Sequence, residues 1–460
     1  VDRYFRVKNF VPEPFWSIKV THRRDDINVV FNWKRVRLFD RAVVVILFER
    51  CIAAKTAKVI KVQEKPTSKW KPLPLTTVEL QKNASRFLRM NSHEAMAVAE
   101  GLYQKGFISY PRTETDRFDP GMNLGALVEK QRQDNRWGTF AQNLVNGAFK
   151  QPRQGRHDDK AHPPIHPVAY CAPANLRDNE KRVYEFITRR FLACCSDDAK
   201  GQATDIDIQY RDEVFGAHGV VVLARNYLDV YPYENWTNSV TLPKFTLDEV
   251  FEPTEAMLTE GKTSAPSYLT EPDLIALMDA NGIGTDATMA EHINTIKQRE
   301  YVITRPKGGV GGGNHAPAPA RGARGGRGAR AGRGGQGRGG GAAGAGGSGG
   351  VEEFIPTTLG VALVDGYDKM GHEISLSKPF LRKEMELKMK DICEGRLAGD
   401  VMLRESLRQY KRVFDLSKEQ LNVLKAVSFL FLGIFNSPFL SHLLTALFKS
   451  CRRYVLNGGA

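Results

Sequence analysis

Thr204-Asp205-Ile206-Asp207-Ile208 alternates polar and apolar residues strictly, and Glu213-Val214-Phe215 opens a second such run that continues to Leu223. A period of two is the pattern of a half-buried strand, so the two runs read as neighbouring β-strands. Strand patterns of the same kind lie far upstream, at residues 17–21, 28–33 and 58–63, with a helix-like run from Ala42 to Ile52 between the last two. The residues between 63 and 204 are mostly helical in pattern. One β module is therefore expected to be built from two separate stretches and interrupted by a helical insert, which makes the chain α+β and multi-domain.

The insert begins after the Pro- and Lys-rich cluster from Lys65 to Pro74, which reads as a boundary. Asn91 and Glu94 have the spacing of a capping box, Ala95, Met96, Ala99, Leu102 and Tyr103 form an apolar side, and Gly106 is a terminator. Tyr110 follows just past that helix end. Because Pro111 crowds the α region, Tyr110 should be extended, and Arg112 then points to the same side. A guanidinium beside a phenol favours the phenolate or clamps a phosphate that the oxygen attacks, which suggests phosphoryl transfer to tyrosine. As a bare tripeptide, Tyr-Pro-Arg is more often a turn with an exposed aromatic residue.

Residues 150–178 are rich in Pro, Gly and Asp and read as loops. Val183, Phe186, Ile187, Arg190, Phe191, Cys194 and Cys195 then recur at helical spacing. A second helical region starts at the capping-box pattern Thr270-Glu271-Pro272-Asp273, ahead of Leu274, Ile275, Leu277 and Met278, and Gly282-Ile283-Gly284 should end that helix. The next helix is expected near Thr285-Asp286, carrying Ile293 and Ile296. Further on, Glu384 with Lys388 and Glu386 with Lys390 are i,i+4 pairs on a helix closed by Gly395.

The 460 residues carry 66 Lys and Arg against 52 acids, a net +14 that suits a polyanionic partner. Half of that excess sits in residues 306–350, which hold Lys307, six arginines, no acid and 21 of the 42 glycines. Such a composition cannot bury a core and reads as a disordered insert, suited to RNA or single-stranded DNA contact and equally compatible with a plain spacer. No two of the six cysteines have Cys-x-x-Cys spacing, so no structural zinc is expected and a reducing compartment fits. The apolar run from Ala426 to Phe435 is broken by Asn436-Ser437-Pro438 before reaching membrane-spanning length, which reads as a buried or partner-binding helix. The chain opens with Val1, as a fragment would.

Three stretches in this order, residues 107–116, Ala161-His162-Pro163-Pro164-Ile165-His166-Pro167, and 269–288, resemble the type IA DNA topoisomerases, in particular the alpha form of eukaryotic topoisomerase III. The resemblance covers residues 4–415 apart from the glycine-rich insert. It implies a toroid in which a β gate (1–70 and, with a preceding helix, 179–265) is interrupted by a helical tyrosine domain (71–178). A mainly helical DNA-binding domain (266–305 and 351–415) follows, the 306–350 insert lies within it, and an atypical tail (416–460) ends the chain.

By the same resemblance Tyr110 is the nucleophile, forming a 5′-phosphotyrosyl link, Arg112 positions the scissile phosphate, and His162 contacts it or assists proton transfer. Glu100 and Thr113 are implied near bound DNA, and Gly284, Thr285 and Asp286 lie in a turn that opens a helix, whose amides suit a phosphate although its glycines are equally compatible with a simple helix break. Implied too are Mg²⁺ held by a Toprim domain, a RecQ-type helicase and an OB-fold cofactor as partners, and a nuclear location, with the mitochondrion second. The Mg²⁺ ligands are expected to lie outside this sequence, since Asp205-Ile206-Asp207 copies an acidic pair's spacing only on a strand, where both carboxylates should face solvent. The competing expectation is a catalytically incomplete protein that binds single-stranded DNA or RNA.

Overall fold

A computed structural model of the chain describes residues 1–236, 241–307, 351–370 and 377–423. The first unit is an antiparallel seven-stranded sheet. After helix α1 (Asp2–Lys8) come β1 (Pro14–Arg24), β2 (Ile27–Trp33), helix α2 (Arg41–Ala54) and β3 (Ala57–Lys69). The sheet is completed by β4 (Ala199–Tyr210), β5 (Glu213–Ala224), β6 (Val250–Phe251) and β7 (Glu255–Lys262), in the order β6-β3-β4-β5-β2-β1-β7. Ile18, Val20, Phe31, Val59, Ile206, Ile208 and Phe215 point to one face and bury against Val44 and Cys51 of α2. The period-two alternation in the sequence is the cause: every second side chain is apolar, and the helix covers that face.

The helical insert leaves and re-enters this sheet at one place. The β3–β4 ladder runs to the pair Lys69↔Ala199, so residues 70–198 are anchored by two adjacent strand ends. The 65–74 cluster is not the sharp boundary expected, since β3 continues through Pro66 to Lys69. β6 covers only Ala57 and Lys58 of β3, so past that point β3 is an edge strand, where a proline's missing N–H disturbs no ladder.

The insert holds α3 (Thr77–Asn83), α4 (Ser92–Gln104), α5 (Leu124–Lys130), α6 (Gly138–Asn143) and α7 (Asp178–Cys194) around a separate apolar core. The whole periodic stripe of α7 is buried, Cys194 and Cys195 included. Its Arg190 is buried as well, because Nε donates to the Leu73 carbonyl at 3.0 Å and a terminal nitrogen donates to the Tyr231 hydroxyl at 3.1 Å.

The third unit contains α8 (Glu271–Ala280), α9 (Met289–Gln298), the hairpin β8 (Val302–Pro306) and β9 (Glu352–Pro356), α10 (Thr358–Lys369), α11 (Phe380–Cys393) and α12 (Gly399–Glu419). Thr270 and Asp273 form the expected capping box. α9 begins at Met289, later than Thr285-Asp286, because Gly282 and Gly284 adopt φ +62° and +82° and Thr285 to Thr288 form a further turn. Glu384 pairs with Lys388 at 2.9 Å, whereas Glu386 takes Arg382 at 2.6 Å and not Lys390. Residues 308–350, which hold nearly all of the Gly/Arg-rich insert, and the apolar run 426–435 lie outside the described residues. No helix among the described residues is long and apolar enough to cross a membrane.

Candidate active site

Asn91 caps α4 by accepting the Glu94 N–H at 2.9 Å. The reciprocal half of the expected capping box is absent, since the Glu94 carboxylate accepts from Asn179 at 2.6 Å. Gly106, at φ +77°, turns the chain away from the helix end, a conformation that costs glycine nothing. Residues 107–109 then run alongside the 162–168 loop: Ser109 N–H donates to the His166 carbonyl at 2.9 Å, Val168 N–H to the Phe107 carbonyl at 2.9 Å, and His166 N–H to the Ser109 hydroxyl at 3.0 Å. This pairing brings His162 to Tyr110, which is distant from it in sequence.

Tyr110 is half-buried between two rings. His162 lies 4.7 Å away between ring centres, tilted by 43°, and Tyr103 meets it edge-on at 5.2 Å. Tyr103 was expected on the apolar side of α4. It is exposed, and packs on Tyr110 while Ala95, Met96, Ala99 and Leu102 form the core face.

Arg112 packs against the same helix at Glu100, three residues back from Tyr103. Its Nε donates to the Glu100 carboxylate at 2.8 Å, a second nitrogen closes on the same oxygen, and a third donates to the carbonyl of Ala287 at 3.0 Å and of Asp286 at 3.4 Å. Tyr110 and Arg112 thus pack against neighbouring turns of α4, at Tyr103 and Glu100, but the guanidinium faces Glu100 and the turn before α9. A phosphate would have to replace those partners.

Thr113 is fully buried. Its N–H donates to the Thr77 hydroxyl at 2.8 Å and its own hydroxyl to Asp159 at 3.0 Å, so in this conformation it serves the loop and is closed to a ligand. Asp159 also accepts the N–H groups of Ala161 at 2.9 Å and His162 at 2.8 Å. These bonds outweigh its desolvation and hold its carboxyl down at about 2. The neighbouring Glu114 is shifted the other way: desolvation raises its carboxyl, and Asp286, Asp159 and Asp279 add to the rise. In the 284–288 turn, Thr285 N–H donates to the Thr288 hydroxyl at 2.9 Å.

Asp205 and Asp207 do not face solvent freely. Asp205 is held by His218 at 2.6 Å and Lys65 at 3.0 Å, and Asp207 by Lys34 at 2.6 Å, because long basic side chains on neighbouring strands reach across the ladder. Among the described residues no group of three or more His, Cys, Asp or Glu side chains is placed to hold a metal ion.

A protein-family model described as DNA topoisomerase matches residues 1–309. The chain belongs to the DNA topoisomerase family. This topoisomerase chain is 45% identical over 439 residues to DNA topoisomerase 3 of Schizosaccharomyces pombe, covering 95% of itself and 64% of that protein. It is 46% identical over 414 residues to DNA topoisomerase 3-alpha of Homo sapiens, covering 90% of itself and 36% of that protein. The chain therefore spans about a third to two-thirds of the length of these curated relatives. Its fold is similar to that of full-length topoisomerase I from Thermotoga maritima, with a TM-score of 0.65 at 20% identity over 90% of this chain and 61% of that one. That likeness concerns the fold, and it bears out the expected α+β architecture of a type IA topoisomerase.

The structure brings Tyr110, His162, Arg112, Glu100, Thr113 and Asp286 into one neighbourhood. Two members were not anticipated. Tyr103 was read as core because it falls at helical spacing, and Asp159 was passed over because an Asp-rich turn reads as a solvated loop.

Proposed function

We propose that this chain carries the strand-cleaving half of a type IA topoisomerase, with Tyr110 as nucleophile. The observation that supports this best is the contact of the Tyr110 and His162 rings at 4.7 Å, made by two loops far apart in sequence. In the reaction the phenolic oxygen bonds to phosphorus as the bond to the 3′-oxygen breaks, the phenolic proton is passed on, and the 3′-hydroxyl leaves protonated. The 5′-phosphate stays on Tyr110, and reversal reseals the strand. His162 would contact the phosphate or carry the proton. Arg112 would leave Glu100 and the Asp286–Ala287 carbonyls to clamp the phosphate.

Around this step the reading is strand passage through a protein-bridged break, relaxing negative supercoils and unlinking recombination or replication intermediates in the nucleus. Gly284, Thr285 and Asp286 are the DNA-facing candidates of the turn before α9. The family resemblance supports Mg²⁺ as cofactor and a helicase and an OB-fold protein as partners. The described residues do not fit a metal ion, so no step is routed through one.

The test mixes the chain with labelled single-stranded DNA and Mg²⁺, with and without a separately supplied Toprim fragment, and denatures it. A covalent adduct that Tyr110→Phe abolishes supports the reading, and an adduct that survives the substitution sinks it.

A further inference from the structure

We propose that Asp159 is the positioning residue that holds His162 against Tyr110, acting through the backbone of the 159–162 turn. The proposal deepens the reading of Tyr110 as nucleophile and rests on it for its functional meaning, while its structural content stands on the geometry. One carboxylate oxygen, Oδ1, accepts two successive amides, Ala161 N–H at 2.9 Å and His162 N–H at 2.8 Å. The other, Oδ2, accepts the hydroxyl of Thr113 at 3.0 Å. The N–H of Asp159 in turn donates to the Thr115 hydroxyl at 3.0 Å.

Thr113 and Thr115 are buried and belong to the same segment as Tyr110 and Arg112. Asp159 therefore clips the histidine turn to the tyrosine segment itself, with only Pro111 and Arg112 between Tyr110 and the first clipped residue. Besides its ring contact with Tyr110, the imidazole meets Asp159 again, with Nδ1 3.8 Å from Oδ2, beyond a direct hydrogen bond. His162 is exposed, so packing alone does not fix it. What fixes it is the turn, which is held to the tyrosine segment chiefly by the Asp159 carboxylate, with a longer bond from the Thr113 hydroxyl to the His162 carbonyl at 3.4 Å.

The geometry separates a role for the acceptor from a role for the charge. In Asp159→Asn the amide oxygen still accepts both backbone N–H groups and the amide nitrogen can donate to Thr113 Oγ1, so the clip is retained. In Asp159→Ala both amides lose their partner, and the Thr113 hydroxyl keeps only the His162 carbonyl at 3.4 Å.

The experiment labels the histidines of the 460-residue chain with ¹³C and ¹⁵N and reads the His162 ring resonances, assigned by their loss in His162→Gln. The displacement caused by the neighbouring phenol ring is defined by its disappearance in Tyr110→Leu. Asp159→Ala should remove that displacement as fully as Tyr110→Leu does, and Asp159→Asn should keep it. Persistence in a folded Asp159→Ala chain overturns the proposal, and so does its loss in Asp159→Asn, which remains informative where the alanine variant does not fold. In parallel, the rate of adduct formation should fall about tenfold in Asp159→Ala but show no further fall when Asp159→Ala is added to His162→Ala. An additional fall in the His162→Ala background would mean that Asp159 acts elsewhere. A wild-type chain that forms no adduct even with the Toprim fragment and Mg²⁺ supplied counts against the nucleophile reading alone, since the resonance arm still decides on Asp159.

Discussion

Arg112 donates through Nε to the carboxylate of Glu100 at 2.8 Å, so the cation expected at a scissile phosphate is neutralised by its own scaffold in this conformation. Binding of DNA then becomes an exchange of one anion for another on a single guanidinium. Glu100→Gln removes the competing charge. Because a partly exposed ion pair contributes roughly 0.2–1 kcal/mol, affinity for a labelled oligodeoxythymidine, read by fluorescence anisotropy, should rise by up to about fivefold. A fall in affinity would mean that Glu100 itself contacts DNA.

Glu271 ties the tyrosine unit to the helices that follow the sheet. It is buried, accepting the Ser92 N–H at the start of α4 at 2.6 Å and the Lys297 ammonium of α9 at 2.9 Å. Glu271→Ala leaves the buried Ser92 N–H without a partner and the half-buried Lys297 ammonium without its carboxylate. The expected loss is about 1–3 kcal/mol, the cost of leaving a buried donor unsatisfied. Denaturant unfolding should show it, and a loss below about 1 kcal/mol would mean that water reaches the site and replaces the carboxylate.

His166 predicts how the tyrosine unit responds to acid. Its ring is buried and bonded through Nδ1–H to the Pro164 carbonyl at 2.6 Å, and burial lowers its pKa from the ordinary 6.5. A histidine lowered in the folded state contributes stability that is fully present above about pH 6.5 and is lost as pH falls through and below that value. The carboxyl of Asp159, held at about 2, stays ionised throughout this window and adds nothing to the slope. Thermal midpoints should therefore fall between pH 7.5 and 5.5, and fall less in His166→Gln. A residual slope is expected from His22 and His292, which are lowered in the same direction. An unchanged slope in His166→Gln would contradict the assignment.

Local pattern made the scaffold legible. The alternation at 204–208 and 213–223, the helical stripe of α7 and the turn at Gly106 each depend on neighbours within a few residues, and each element formed where its pattern lies. The partners of the site side chains did not follow from local pattern. Arg112 finds Glu100 one helix back and carbonyls of a turn beyond the sheet, and Glu271, readable only as part of a capping motif, closes an interface with Ser92 and Lys297. Such contacts depend on how units pack, and spacing in one chain does not encode that. Asp159 was hidden for a related reason: what matters is which amides its oxygens reach, and an Asp-Asp-Lys turn can close in several ways.

The central claim is that Tyr110 takes the 5′-phosphate of a cleaved strand. The most direct measurement incubates the chain with a single-stranded oligonucleotide labelled at its 3′ end, traps the complex by denaturation, and maps the labelled peptide by mass spectrometry. The account predicts label retained on the protein, on the peptide containing Tyr110. Label on any other residue, or retention only when the 5′ end is labelled, would contradict it.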